Sequence, residues 1–160
     1  MGEGLISDPS FENSRKDKGG DFKNEGLTVE VNNLTPFSFN KEQIIEAVKV
    51  VLKGEGVSKK EVSVVLVKED DIRRLNKEHL GRNYVTDVLS FPYNDEKLLG
   101  EMIICPEKVR EGAKKEDFTK EFFQVIIHGV LHLLDYDHET SEEKRLMEER
   151  TTHYLNSLGL

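Results

Sequence analysis

The spacing of apolar residues divides most of the chain into predicted strands and helices. Runs that alternate, or that are rich in β-branched residues, predict four strands, at 27–34, 61–68, 86–92 and 98–105. Apolar residues three and four apart predict five helices, which lie after Asn40, up to Leu80, over 106–115, from Lys120 to about Leu134, and after Thr140.

Residues that commonly cap helices stand at the start of four of the predicted helices. The expected N-caps are Asn40, Asp70 or Asp71, Thr119 and Thr140. Gln43 and Glu143 follow the first and the last of these caps by three residues, which is the spacing of a capping box. The caps therefore support the helix positions that the apolar pattern predicts.

Strands dominate the first half of the chain and helices the second, an order typical of the α+β class. The pattern predicts a small mixed sheet of about four strands covered by helices. Two early strand–helix–strand units indicate that part of this sheet is parallel, because a helix is the usual connection between parallel neighbours.

The first residues of the chain follow neither period. Residues 1–26 are rich in Gly, Ser, Asn and charged residues, and their apolar residues are too sparse to form a face. We therefore predict a flexible tail over 1–26 and a single domain over 27–160. The tail lacks the apolar run of a secretory signal, and no segment has the roughly 20 apolar residues of a membrane span, so we expect no membrane partner.

Composition narrows the expected location and partners. The single cysteine, Cys105, excludes an internal disulfide and favours a reducing, cytoplasmic location. A net charge of −8 argues mildly against a protein that coats itself in nucleic acid, and we expect no DNA partner. A local cationic groove is still compatible with this charge, because basic residues cluster within Lys77–Arg82 and Lys108–Lys115.

Three of the histidines fall within eleven residues, in the stretch HGVLHLLDYDH that begins at His128. His128 and His132 are four residues apart on a predicted helix, so their rings project one turn apart from one face. His138 follows beyond the helix end, where the chain can fold back towards the other two. Unpaired imidazoles in an apolar helix are costly, and a bound metal satisfies them. Three nitrogen ligands with one open position describe a catalytic site for one Zn²⁺.

The residue after His128 limits the chemistry of this stretch. Zinc peptidases of the H-E-x-x-H type carry a glutamate there as general base, whereas this chain has Gly129. Glycine cannot carry a proton, so the peptidase interpretation loses most of its support. The alternative without metal is a set of core histidines bonded to carbonyls or acids. We expect His79 and His153 to be ordinary surface or packing residues.

The same stretch resembles the H-G-x-L-H-L-x-G-Y-D-H signature of the YbeY family. Two further blocks are similar to that family, LNKEHLGRNYVTDVLSFP at 75–92 and LGEMIICPEKV at 99–109, and the resemblance spans about residues 27–160. It implies a zincin-like α+β fold and a metal-dependent, single-strand-specific endoribonuclease of ribosomal RNA maturation and ribosome quality control. By position, it also implies zinc ligands at His128, His132 and His138.

The chain departs from the family pattern at two positions. Asp135 stands in place of a glycine, either in a left-handed turn or as a carboxylate that hydrogen-bonds a ligand histidine or the metal's water. Leu80 stands in place of an arginine, a residue suited to binding phosphate. We expect Arg82, two residues later, to supply the substrate-binding cation; an exposed loop arginine is the alternative. Asp137 is a candidate to hydrogen-bond a ligand imidazole, or is a solvated carboxylate.

These observations favour a zinc-dependent endoribonuclease that acts on ribosomal RNA, with ribosomal RNA and ribosomal proteins as candidate partners. The general base is unassigned, and Asp87 is expected at most to hydrogen-bond a neighbouring loop. Two alternatives stay open: a zinc hydrolase of a peptide or other non-nucleic-acid substrate, and a ribosome-assembly factor in which zinc is structural. The second alternative requires a fourth protein ligand, and the sequence offers no obvious one.

Overall fold

A computed structural model describes residues 26–114 and 117–160 of the chain. The strands are β1 (Thr28–Asn33), β2 (Glu61–Leu66), β3 (Val88–Pro92) and β4 (Leu98–Ile104). The helices are α1 (Lys41–Gly54), α2 (Glu69–Leu80), α3 (Pro106–Gly112), α4 (Phe118–Leu133) and α5 (Ser141–Ser157). The predicted tail lies, apart from Gly26, outside the described residues.

The four strands form one mixed sheet in the order β1-β2-β4-β3. β1, β2 and β4 are parallel neighbours, and β3 pairs antiparallel with β4 at the edge. The short turn between β3 and β4 is held by the Asp95 carboxylate, which accepts hydrogen bonds from the backbone N–H groups of Lys97 and Leu98 at 2.7 and 3.0 Å. The predicted α+β class with a partly parallel sheet is confirmed.

Different helices cover the two faces of the sheet. α1, α4 and α5 pack on one face, where they form the larger core with strand residues such as Val64 and Met102. α2 covers the other face, and its Ile72 packs there with Val65 and Ile103. The split follows from the alternation of side chains along each strand. Within the described ranges, no helix is both long and apolar enough to cross a membrane.

Two predicted helix caps are confirmed by their hydrogen bonds. The Asn40 side chain accepts from the Gln43 backbone N–H at 3.1 Å. Thr140 and Glu143 form a complete capping box, with the two side-chain to backbone bonds at 3.1 and 3.0 Å.

The predicted cap of α2 is wrong. This helix begins at Glu69, and its N-cap is Lys68. Asp70 and Asp71 therefore lie inside the first turn instead of at the cap. The carboxylate of Glu107, from α3, accepts a hydrogen bond from the Glu69 backbone N–H at 3.3 Å. A carboxylate distant in sequence therefore satisfies a backbone donor in the first turn of α2, where the local pattern predicted an aspartate cap.

The predicted start of α4 is also wrong. The helix begins at Phe118 with Asp117 as its N-cap, instead of at Lys120 after a Thr119 cap. The Phe118 ring stacks on Phe122 with a centroid distance of 5.6 Å, so an aromatic contact stabilises the two extra residues.

The ends of β3 and α3 follow from the chain around them. β3 begins at Val88, two residues later than predicted, because its partner β4 ends at Ile104 and the chain enters α3 at Pro106. α3 ends at Gly112, whereas the predicted end at 115 falls outside the described residues.

A row of buried polar residues crosses the second face of the sheet. Glu30, Ser63 and Glu101 lie opposite one another on β1, β2 and β4. Glu101 is fully buried, and within the described ranges neither of its carboxylate oxygens has a hydrogen-bond partner. Burial raises the pKa of Glu101 to about 7, because the charged form is poorly solvated there.

α4 lies close against the sheet at Gly129. A Cβ at this position would lie 2.4 Å from the Met102 sulfur and 3.4 Å from Ser90 Oγ. Ser90 Oγ also donates a hydrogen bond to the Gly129 carbonyl at 3.2 Å. Gly129 therefore allows α4 to lie against β3 and β4.

We predict that Glu101 makes stability depend on pH. From about pH 4.5 to 7 the folded state holds a proton on Glu101 that the unfolded chain releases, so the free energy of unfolding should fall as pH rises, by at most about 3 kcal/mol. Glu101→Gln should remove this part of the slope in urea unfolding at pH 5 and pH 7.5. Glu149→Gln, at a 58% exposed side chain, should keep it; an unchanged slope in Glu101→Gln would contradict the assignment.

We predict that Gly129→Ala lowers the free energy of unfolding by about 1–3 kcal/mol, because the new methyl overlaps buried Met102. Urea unfolding followed by circular dichroism measures the change. The control is Gly112→Ala in α3, where a Cβ would meet nothing within 4 Å and should cause no loss. Equal stability of the Gly129→Ala variant and the wild type would show that α4 does not need this close approach.

Candidate metal centre

The last two turns of α4 carry His128 and His132, both half-buried. Burial lowers the pKa of His128, and the nearby His132 lowers it further. Burial likewise lowers the pKa of His132. Both imidazoles are therefore neutral at pH 7, which is the form that binds a metal ion.

The ring of His132 is oriented by the loop that follows α4. Its Nδ1 lies 3.0 Å from the backbone carbonyl oxygen of Tyr136. Because a carbonyl can only accept, the tautomer that completes this bond carries its proton on Nδ1 and leaves the Nε2 lone pair free. This contact is typical of histidines that bind metal through Nε2.

Asp135 has the left-handed backbone conformation that one interpretation of this position predicts. Its φ is 70°. The N–H of Asp135 donates to the His132 carbonyl, and that of Tyr136 to the Leu131 carbonyl, both at 3.0 Å. These two bonds form a Schellman motif, which ends the helix and reverses the chain towards His138. The exposed Asp135 carboxylate makes no hydrogen bond to a histidine within the described ranges, so the turn interpretation has the support.

The loop between His132 and His138 is anchored by a polar cluster that the sequence did not indicate. The Tyr136 hydroxyl donates to Glu55 Oε1 at 2.6 Å. The Tyr154 hydroxyl donates to the other oxygen of Glu55, and Arg150 pairs with that oxygen at 3.2 Å. Side chains from α5 and from the end of α1 therefore hold Tyr136, whose carbonyl contacts His132.

His138 lies next to His132 but is open to solvent. The two ring centroids are 5.3 Å apart, and the His138 side chain is 62% exposed. The Asp137 carboxylate accepts from the His138 backbone N–H at 2.7 Å and lies 4.0 Å from its Nδ1. Asp137 thus hydrogen-bonds the backbone of His138 and not its imidazole, so its role towards a ligand ring stays a prediction.

The described residues include no group of three His, Cys, Asp or Glu side chains close enough together to hold a metal ion. The donors nevertheless suit zinc: two neutral imidazoles one turn apart, one with its Nε2 left free, and a third imidazole on an exposed position beside them. The set of three histidine ligands therefore stays a prediction.

Asp87 contributes to the site in a way that the sequence did not indicate. Its charge raises the pKa of His128, against the effect of burial, so the two groups lie within electrostatic range. Its carbonyl accepts from the Cys105 N–H at 2.8 Å, which holds the loop before β3 in place. The only sequence signal for Asp87 was its position in the block at 75–92.

Arg82 lies in the loop that leads from α2 to Asp87. Gly81, with φ of 67°, ends α2, and the exposed Arg82 follows it. Within the described ranges its guanidinium has no hydrogen-bond or ion-pair partner, so it is available for a ligand. Leu80, where the family pattern has arginine, is 47% exposed at the last position of α2.

The second predicted cationic segment, Lys108–Lys115, does not offer a row of free cations. Lys108 pairs with Glu111 at 3.8 Å, and the Arg110 guanidinium lies 4.3 Å above the ring of Phe118. Lys115 is outside the described residues. Arg110 lies near the first turn of α4, at the opposite end of that helix from the histidines.

Comparison with known proteins identifies the family and agrees with this fold. The family model described as Endoribonuclease YbeY matches residues 28–159. Relatives named Endoribonuclease YbeY include one from Chlorobium luteolum, 36% identical over 82% of this chain and 98% of its own length, and one from Carboxydothermus hydrogenoformans, 42% identical over 73% and 85%. The solution structure of TM1509 from Thermotoga maritima matches with a TM-score of 0.63 and 34% identity, over 82% of this chain and 89% of that one. The chain therefore belongs to the YbeY family of endoribonucleases, which makes it an RNA-cleaving enzyme.

Proposed function

We propose that this endoribonuclease depends on one Zn²⁺ held by His128, His132 and His138, and that it cleaves single-stranded ribosomal RNA. The observation that carries the metal proposal is the contact between His132 Nδ1 and the Tyr136 carbonyl at 3.0 Å. It leaves Nε2 free on a neutral imidazole one turn from a second neutral imidazole. Neutral nitrogen donors are preferred zinc ligands.

Zinc bound by three histidines would supply a Lewis acid that polarises a phosphate oxygen and acidifies water. The residues of the chain have separate tasks around it. Asp87 places a negative charge near His128, which favours a cation at that imidazole. The cluster around Glu55 holds the loop that carries His138. His138 is open to solvent, so a polymer can reach the site.

We assign phosphate binding to Arg82. Its guanidinium is exposed and uncommitted within the described ranges, and its loop leads to Asp87, whose charge acts on His128. A guanidinium matches two phosphate oxygens and stabilises the charge that develops during cleavage. Arg82 would thus take over the task of the arginine that Leu80 replaces.

The peptidase alternative is disfavoured by the position of Gly129. This residue is buried against Met102 and Ser90, so a glutamate there would enter the sheet instead of the metal site.

Ribosomal RNA and ribosomal proteins stay the proposed partners. A cytoplasmic location belongs to the same proposal, because the single cysteine, Cys105, is buried and unpaired.

We predict that His132→Ala loses the metal and the activity together. Purified wild type should contain about one zinc per chain by elemental analysis and cleave an unstructured ribosomal RNA fragment. His132→Ala should lose the zinc, and its cleavage rate should fall by at least about 100-fold. Removing a metal ligand should cost at least as much as removing a residue that orients one. His153→Ala, at an exposed histidine that packs edge-on against Tyr154, is the control and should retain both. Full cleavage by a metal-free His132→Ala variant would overturn the zinc proposal.

We predict that Arg82→Ala weakens cleavage by roughly 10- to 100-fold, the size expected for losing a charge-assisted hydrogen bond to phosphate. Arg74→Ala is the control, since this exposed arginine already pairs with Asp71 and Glu78. Adding Leu80→Arg to the Arg82→Ala variant should restore much of the rate, because it returns the arginine of the family pattern. If Arg82→Ala cleaves RNA like the wild type while His132→Ala is inactive, Arg82 has no part in substrate binding.

A further inference from the structure

A second concave site lies at the other end of α4. A cavity of about 660 Å³ opens where α1, α2, α3 and α4 begin, at the carboxyl ends of β1, β2 and β4. Crevices at the carboxyl ends of parallel strands are common binding sites. Ten residues of helix separate Phe118, at this cavity, from His128, a distance of about 15 Å along the axis. The cavity is therefore separate from the candidate metal centre.

The wall of the cavity is aromatic. Phe122 stacks between Phe39 and Phe118, with centroid distances of 5.1 and 5.6 Å. Phe37 lines the same cavity and is 47% exposed, which is unusual for so large an apolar side chain. Exposed aromatic side chains in a concave site commonly anchor a binding partner.

The rim of the cavity is acidic. It carries the carboxylates of Glu69, Glu107 and Glu111, of which Glu111 pairs with Lys108 at 3.8 Å. Arg110, the cation that lines the cavity among the described residues, is stacked on Phe118. The carboxylates crowd one another: a hydrogen bond with Glu111 raises the pKa of Glu69, and the charges of Glu111 and Glu107 add to it. This rim would repel the phosphates of RNA and attract a cationic partner.

We propose that this cavity docks a cationic peptide segment of a partner protein, with an apolar side chain on the aromatic wall and lysine or arginine at the acidic rim. The charge of the rim selects this occupant over RNA. The proposal goes beyond RNA cleavage and does not depend on zinc, since the cavity shares no residue with the three histidines.

The test uses the full chain and three fluorescein-labelled 12-residue peptides. Each peptide has a central Phe-Leu pair, flanked on both sides by Lys, by Ser or by Glu. Fluorescence anisotropy should show the Lys-flanked peptide binding at least about 10-fold more tightly than the Glu-flanked one, with the Ser-flanked peptide between them. The preference should shrink as salt rises.

Paired variants locate the binding on the protein. Phe37→Ala should weaken the Lys-flanked peptide by at least about 10-fold, whereas Leu146→Ala, at an equally exposed leucine of α5 (46% against 47%), should not. Glu111→Lys should weaken it roughly fivefold, and Glu149→Lys, equally exposed at 58%, should not. All four variants should cleave RNA like the wild type, which shows that they are folded.

Three results would overturn the proposal. The first is equal binding of the three peptides, or binding that the Phe37 and Glu111 variants leave unchanged. The second is displacement of the Lys-flanked peptide by oligouridylate in the wild type but not in Phe37→Ala, which would assign the cavity to RNA. The third is a dimer, seen by sedimentation, that Phe37→Ala abolishes, which would assign the cavity to a second copy of the chain. Loss of zinc in His132→Ala changes none of these readouts.

Discussion

The close contact of α4 with the sheet is the constraint on which the other features of this enzyme depend. Gly129 is buried against Met102, and its carbonyl accepts a hydrogen bond from Ser90 on β3. A helix that lies this close to the sheet can present a half-buried face, with His128 and His132, at the sheet's edge strand. The same contact leaves no room for a side chain at 129, so the absence of a glutamate after His128 is a consequence of packing.

The end of α4 depends on interactions with other helices. The Schellman motif at Asp135 reverses the chain, and the contact of the Tyr136 carbonyl with His132 couples that turn to the imidazole. Glu55 holds the Tyr136 hydroxyl, and Arg150 holds Glu55. Glu55 and Arg150, which lie 81 and 14 positions from Tyr136 in the sequence, thus position the loop before His138. A catalytic site needs such support, because a small displacement of its groups lowers activity.

The two ends of α4 differ in chemistry although one helix forms both. The carboxyl end carries neutral imidazoles beside an exposed histidine. The amino end combines stacked phenylalanines with a rim of carboxylates. A net charge of −8 therefore conceals an uneven surface, and an acidic total does not prevent RNA from binding at one end.

The sequence alone determined the order of helices and strands, the fold class and the spacing of the three histidines. These features depend on local properties, namely helix and strand periods and capping residues such as Asn40 and Thr140. Tertiary structure decided what depends on distant partners. Glu107 caps α2 across 38 residues, Phe118 extends α4 by packing, and the charge of Asp87 acts on His128, 41 positions later in the chain. The reason for Gly129 was likewise invisible in the sequence, because the atom that excludes a side chain there belongs to Met102 on a strand of the sheet.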